Sequence, residues 1–233
     1  MKTLTLTVLA FLLASLVTTQ AFAQEEGTQT EPEKVERIGD PWPLETCAVA
    51  GMKLGSMGEP IIKIHEGREV RFCCAGCIDA FESDPEKFLS KADKKMIENQ
   101  KPYYPLGYCI IDTPEKLEED ESENDYSIVY NRLFVYCCPP CDKKVRAEPA
   151  KYFKQLDEAV IEKQKDDYPL DTCAVSGQPL DSMGGPVDMV VANRLVRLCC
   201  KGCSSKVESD PAGILAKIDA AHKKAAPTEA EGE

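Results

Sequence analysis

The chain has 233 residues, a formal net charge of −12, 12 cysteines, two histidines and one tryptophan. Apolar residues at 43% and charged residues at 29% exclude both a mostly disordered polypeptide and a multi-span membrane protein. The acidic balance speaks against nucleic acid and anionic lipid as partners, because both are bound through clustered Lys and Arg.

In chain order, Lys2, an apolar stretch from Leu4 to about Val17, and the small-x-small run Ala21-Phe22-Ala23 read as a signal peptide over residues 1–23, with Gln24 next. The apolar run is short for a bilayer and no second one follows. The expected product is therefore periplasmic or secreted, with no membrane span after cleavage. Residues 24–40, carrying Glu25, Glu26, Glu31, Glu33 and Glu36, read as a disordered acidic leader, and 225–233 as a disordered tail.

The body repeats itself. Pro43 to Asp93 aligns without a gap on Pro169 to Asp219, with about half the positions identical, and a divergent copy runs from Tyr104 to Asp157. The domain reading is repeat 1 over 41–100, divergent repeat 2 over 101–165 and repeat 3 over 166–224. Every cysteine falls in this frame: Cys47, Cys73, Cys74 and Cys77; Cys109, Cys137, Cys138 and Cys141; Cys173, Cys199, Cys200 and Cys203. One thiol constellation is used three times, a far stronger signal than a lone CxxC.

Within a unit, Pro60–Ile64 and Glu69–Cys73 read as a hairpin turning at Glu66-Gly67-Arg68, and Val187–Val191 with Leu195–Cys199 repeats it around Asn193. A short helix is expected from Cys77, carrying Ala80 and Phe81 inward. Asp84-Pro85 then reads as an N-cap with proline at the first helical position, and Asp210 matches it. Phe88, Ala92 and Met96 form the inward face of the next helix, as do Tyr152, Leu156 and Val160, and Ile214 and Ile218. The fold class is α+β: three small units, each a β-hairpin plus helices around a cysteine cluster.

A unit of about 60 residues buries too little apolar surface to be comfortably stable alone. Either thiolates hold a thiophilic metal ion, Zn or Cu(I), or export closes disulfides. The run VRFCCAGCIDAF from Val70 to Phe81, followed by DPEKFL, resembles the second half of YHS and TRASH domains, small treble-clef-like modules associated with heavy-metal trafficking, resistance and sensing. The resemblance implies ligands at Cys47, Cys73 and Cys77; Cys109, Cys137 and Cys141; and Cys173, Cys199 and Cys203. Two departures stand out. The interval after the first cysteine is longer than usual, and the place of a second knuckle cysteine holds Ala50, Ser176 or, nearest in repeat 2, Asp112. Cys74, Cys138 and Cys200 are then candidates for the fourth ligand, provided the chain leaves the strand between the vicinal pair.

Other signals have plain readings. Met57 and Met183 are expected to pack in turns, His65 and His222 to lie on the surface, and Arg71 and Arg197 to be surface partners of acidic residues. The acidic run Glu118 to Asp125 reads as a solvated insertion. Repeat 2 lacks Ser-Met-Gly and has Pro140 in place of glycine, so it either binds differently or acts as a spacer. No Ser-His-Asp or Cys-His arrangement, phosphate loop or βαβ redox context is present, so the chain is not expected to be an enzyme. The leading expectation is an exported metal-binding protein for sequestration or trafficking, with metal ions and a donor or acceptor protein of the envelope as partners. The alternative is a disulfide-stapled structural or interaction protein; thiol redox activity ranks last.

Overall fold

Short runs rich in β-branched and other apolar residues on either side of a two-residue turn give each repeat a tight antiparallel hairpin. The first pairs β1 (Ile61–His65) with β2 (Arg68–Phe72), the second β3 (Asp125–Val129) with β4 (Arg132–Tyr136), and the third β5 (Val187–Val191) with β6 (Arg194–Leu198). At Glu66-Gly67, Tyr130-Asn131 and Ala192-Asn193 both central residues have positive φ, between 46° and 80°, the geometry of a turn whose twist matches its strands. The residues described in the computed structural model are 36–111, 116–117 and 124–225. The signal peptide, the leader as far as residue 35, Asp112, most of the acidic run and the tail from 226 lie outside the described residues.

Two helices follow each hairpin: α1 (Gly76–Ser83) and α2 (Pro85–Gln100), α3 (Pro140–Ala147) and α4 (Pro149–Gln164), α5 (Ser204–Ser209) and α6 (Pro211–Ala225). The expected caps are present at both ends of the array. Asp84 accepts from the Lys87 amide at 3.3 Å and Asp210 from that of Gly213 at 3.0 Å. Glu148, the counterpart in repeat 2, makes no capping bond. Ala92, Met96, Tyr152, Leu156, Val160 and Ile218 are buried as the helical spacing requires, whereas Phe88 and Ile214 pack at the margins of their cores. The three hairpin-plus-helices units form an α+β fold with a cysteine cluster beside each hairpin.

The repeats do not keep separate cores. Successive strand residues face opposite sides, and in β4 Phe134 and Tyr136 fill the core of repeat 2 while Leu133 and Val135 join that of repeat 1 with Met96 of α2. Leu195 of β6 likewise packs with Val160 of α4. The long helices α2 and α4 therefore each cover the second face of the next hairpin. Burying both faces answers the shortage of core that one such unit would have alone.

Side-chain amides fix this register. Gln100, at the end of α2, accepts from the Leu133 amide at 2.8 Å and donates to Asn131 O at 3.0 Å. Gln164, at the end of α4, repeats both bonds one unit on, with Leu195 N at 2.8 Å and Asn193 O at 2.9 Å. Within the repeats, Arg68 pairs with Asp93, Arg132 with Asp157 and Arg194 with Asp219.

The second face of the first hairpin is polar. Arg71 is buried, not on the surface as the sequence suggests: it donates to Glu69 at 2.8 Å and to Ser209 O at 2.6 Å, at the end of α5. Repeat 1 thus touches repeat 3 and closes the array. Asp40 sits at the junction, gripped by Arg132 at 2.5 and 2.8 Å and by the Ala192 amide at 2.7 Å. No helix among the described residues is long and apolar enough to cross a membrane.

Candidate metal centres

The first cysteine of repeats 1 and 3 sits in a loop shaped by its own backbone. Cys47 N donates to Met52 O at 2.8 Å, Gly51 N returns to Cys47 O at 3.1 Å, and Ala48 N ties the loop to Arg71 O of β2 at 3.1 Å. Gly51 adopts φ +66°, which an L side chain resists. Repeat 3 has the same bonds, Cys173 N to Gln178 O at 2.7 Å, Gly177 N to Cys173 O at 2.9 Å and Ala174 N to Arg197 O at 3.1 Å, and Gly177 has φ +71°. The loop therefore hangs from the strand that delivers the other thiols.

Those thiols come from the strand end and the helix start. Cys73 follows the last residue of β2, and Cys77 lies in the first turn of α1. The chain leaves the strand at Cys74, whose carbonyl accepts from Cys77 N at 3.2 Å. The bonds Cys141 N to Cys138 O and Cys203 N to Cys200 O have the same 3.2 Å length.

In each repeat three sulfurs converge: Cys47, Cys73 and Cys77; Cys109, Cys137 and Cys141; Cys173, Cys199 and Cys203, every pair within 4.8 Å. Individual separations are 3.8 Å for Cys73–Cys77, 3.8 Å for Cys109–Cys141 and 3.9 Å for Cys199–Cys203. A tetrahedral ion with Zn–S bonds of about 2.3 Å needs sulfur–sulfur edges of about 3.8 Å, and a trigonal one about 4.0 Å. The donor set and its spacing therefore fit a thiophilic ion. Most of these thiols are buried and belong to the apolar core of their repeat, Cys47, Cys73 and Cys77 beside Phe72 and Phe81.

The vicinal cysteines flank the triads, each against the helix-start cysteine. Sγ of Cys74 is 3.7 Å from that of Cys77, Cys138 is 3.4 Å from Cys141 and 3.8 Å from Cys137, and Cys200 is 3.9 Å from Cys203. None joins the mutually close set of its repeat. All three are half-exposed.

Burial and hydrogen bonding tune these thiols in opposite directions. Desolvation pushes the Cys77 and Cys203 thiols up to about 12 and Cys137 up to about 11. At Cys173 desolvation is outweighed by the Ser176 hydroxyl and by backbone amides, which bring it down to about 6. Ser176 is a contact that sequence reading missed: its amide is 3.5 Å from Cys173 Sγ and its hydroxyl 3.5 Å from Cys199 Sγ. The sequence signal was its place, where Ala50 stands in repeat 1.

The remaining candidates fall outside the clusters. Met57 and Met183 do not pack in turns: they are 58% and 65% exposed. His65 is half-buried with its ring edge-on to Phe81 at 5.2 Å, and His222 is exposed. Arg197 pairs with Asp188 at 3.0 Å. No family model, curated protein or solved structure matches the chain.

Proposed function

We propose that the chain is an exported thiolate protein whose three YHS/TRASH-like modules each bind one thiophilic metal ion, Zn or Cu(I), for sequestration or hand-over to another envelope protein. The observation that carries this reading is the threefold recurrence of one sulfur triangle of metal-ligand dimensions. In each repeat the three sulfurs come from a loop, a strand end and a helix start. Thiolates are soft donors, which favours such ions over Mg²⁺ or Ca²⁺. The inferred ligands are Cys47, Cys73 and Cys77, Cys109, Cys137 and Cys141, and Cys173, Cys199 and Cys203. The chain acts by binding and not by catalysis.

Native mass spectrometry of the chain purified without oxygen tests this reading. One ion per module and free thiols are expected. A metal-free chain whose cysteines are joined in disulfides would favour a stapled structural protein instead.

A further inference from the structure

Resting on that reading, we propose that Cys74, Cys138 and Cys200 are not a structural fourth ligand but an outer station through which the ion is exchanged with thiol-bearing acceptors. A structural ligand would complete a tetrahedron, with every sulfur about 3.8 Å from the other three. The vicinal sulfur reaches that distance to the helix-start cysteine, and Cys138 reaches it to Cys137 as well, but none lies close to all three triad sulfurs of its repeat. The helix-start thiol is thus common to two overlapping donor groups. The inner one is the triad, and the outer one pairs Cys74 with Cys77, Cys200 with Cys203, and Cys138 with both Cys137 and Cys141.

Exposure follows the same division. The vicinal position is half-exposed in every repeat, while of the nine triad cysteines only Cys137 and Cys203 are half-exposed and the other seven are buried. An acceptor thiol therefore meets Cys74 before any triad sulfur in repeat 1, and meets Cys138 and Cys200 together with the one accessible triad sulfur in repeats 2 and 3. The same backbone turn, with its 3.2 Å amide-to-carbonyl bond, holds that sulfur in place in all three copies.

The exchange is a ligand substitution with no change of oxidation state. The Cys74 thiol gives its proton to solvent, and its thiolate bonds the ion. The Cys47–metal bond breaks, and the freed Cys47 thiolate takes a proton from solvent. Cys73 and Cys77 stay bonded during this first exchange. Thiolates of the acceptor then replace Cys73, Cys77 and Cys74 in turn, each acceptor thiol giving its proton to solvent and each released cysteine thiolate taking one up.

The test uses the full chain carrying Cys74→Ser, Cys138→Ser and Cys200→Ser, loaded with Zn²⁺, with zinc content and the rate of transfer to a thiol-bearing acceptor peptide as readouts. Expected are one ion per module, as in the parent chain, and transfer slower by about tenfold or more, the scale on which groups beside a metal ligand move a site. A Cys77→Ser chain is the control and loses the zinc of module 1 alone. Zinc content falling with the three serines would make the vicinal cysteine a structural ligand and overturn the proposal. Unchanged transfer at full zinc content would overturn it too, while leaving the metal-binding function intact. A parent chain that takes up no zinc or copper would instead remove the function itself.

Discussion

Replacing Asp40 by Asn tests how the three repeats are locked together. Arg132 is 1% exposed, and Asp40 supplies two of its charge-assisted bonds, at 2.5 and 2.8 Å, while also accepting the Ala192 amide at 2.7 Å. Removing one partner of a buried ion pair typically costs 3–5 kcal/mol, because the other charge stays buried without compensation. Asp157 still faces Arg132 but is 39% exposed, so its attraction is screened and the lower end, about 3 kcal/mol, is expected. In a unit of this size that lowers Tm by about 6–12 °C. The assay is urea and thermal unfolding in reducing buffer with a chelator, which separates the ion pair from any bound metal. The double variant Asp40→Asn, Arg132→Met loses less than Asp40→Asn alone, since no charge is then stranded. A loss below about 1 kcal/mol for Asp40→Asn would refute the idea that this pair bears on the junction.

Two further outcomes follow from the same geometry. Gln164→Ala leaves Leu195 N and Asn193 O without partners and costs about 1–3 kcal/mol by denaturant unfolding; Gln100→Ala behaves alike, and a neutral result at both positions would contradict their role as clamps. Metal uptake is pH-dependent, because burial holds the Cys77 and Cys203 thiols at about 12, protonated at neutral pH. Binding must expel those protons, so competition titrations give a Zn²⁺ affinity that rises by about tenfold per pH unit for each proton released; a flat profile between pH 6 and 8 would contradict thiolate coordination.

The hairpins, the capped second helices and the convergence of the first cysteine with the Cys-x3-Cys pair were all legible in the sequence, because each rests on local chemistry or on exact repetition. The turns at Glu66-Gly67 and at Asn193 and the caps at Asp84 and Asp210 are short-range effects of this kind. The merging of the repeats was not legible. Leu133 and Val135 lie on the strand face opposite Phe134, and nothing local says that α2 of the preceding repeat covers them. Arg71 and Glu69 look like solvated charges for the same reason, since their partners lie at Trp42, Arg37 and the end of α5. Gln100 and Gln164 recur at matching positions, and that recurrence was the one available hint of an interface. Met57 and Met183 depart the other way: a methionine in a turn is expected to pack, yet both side chains stand in solvent.

The most direct measurement of sulfur coordination is X-ray absorption at the edge of the metal bound by the intact, anaerobically purified chain. The account predicts a first shell of sulfur at about 2.3 Å when the ion is zinc, three sulfurs per ion, with the triad Cys47, Cys73 and Cys77 representative of all three sites. A shell made of oxygen or nitrogen, or a chain that holds no metal while its thiols are free, would contradict it.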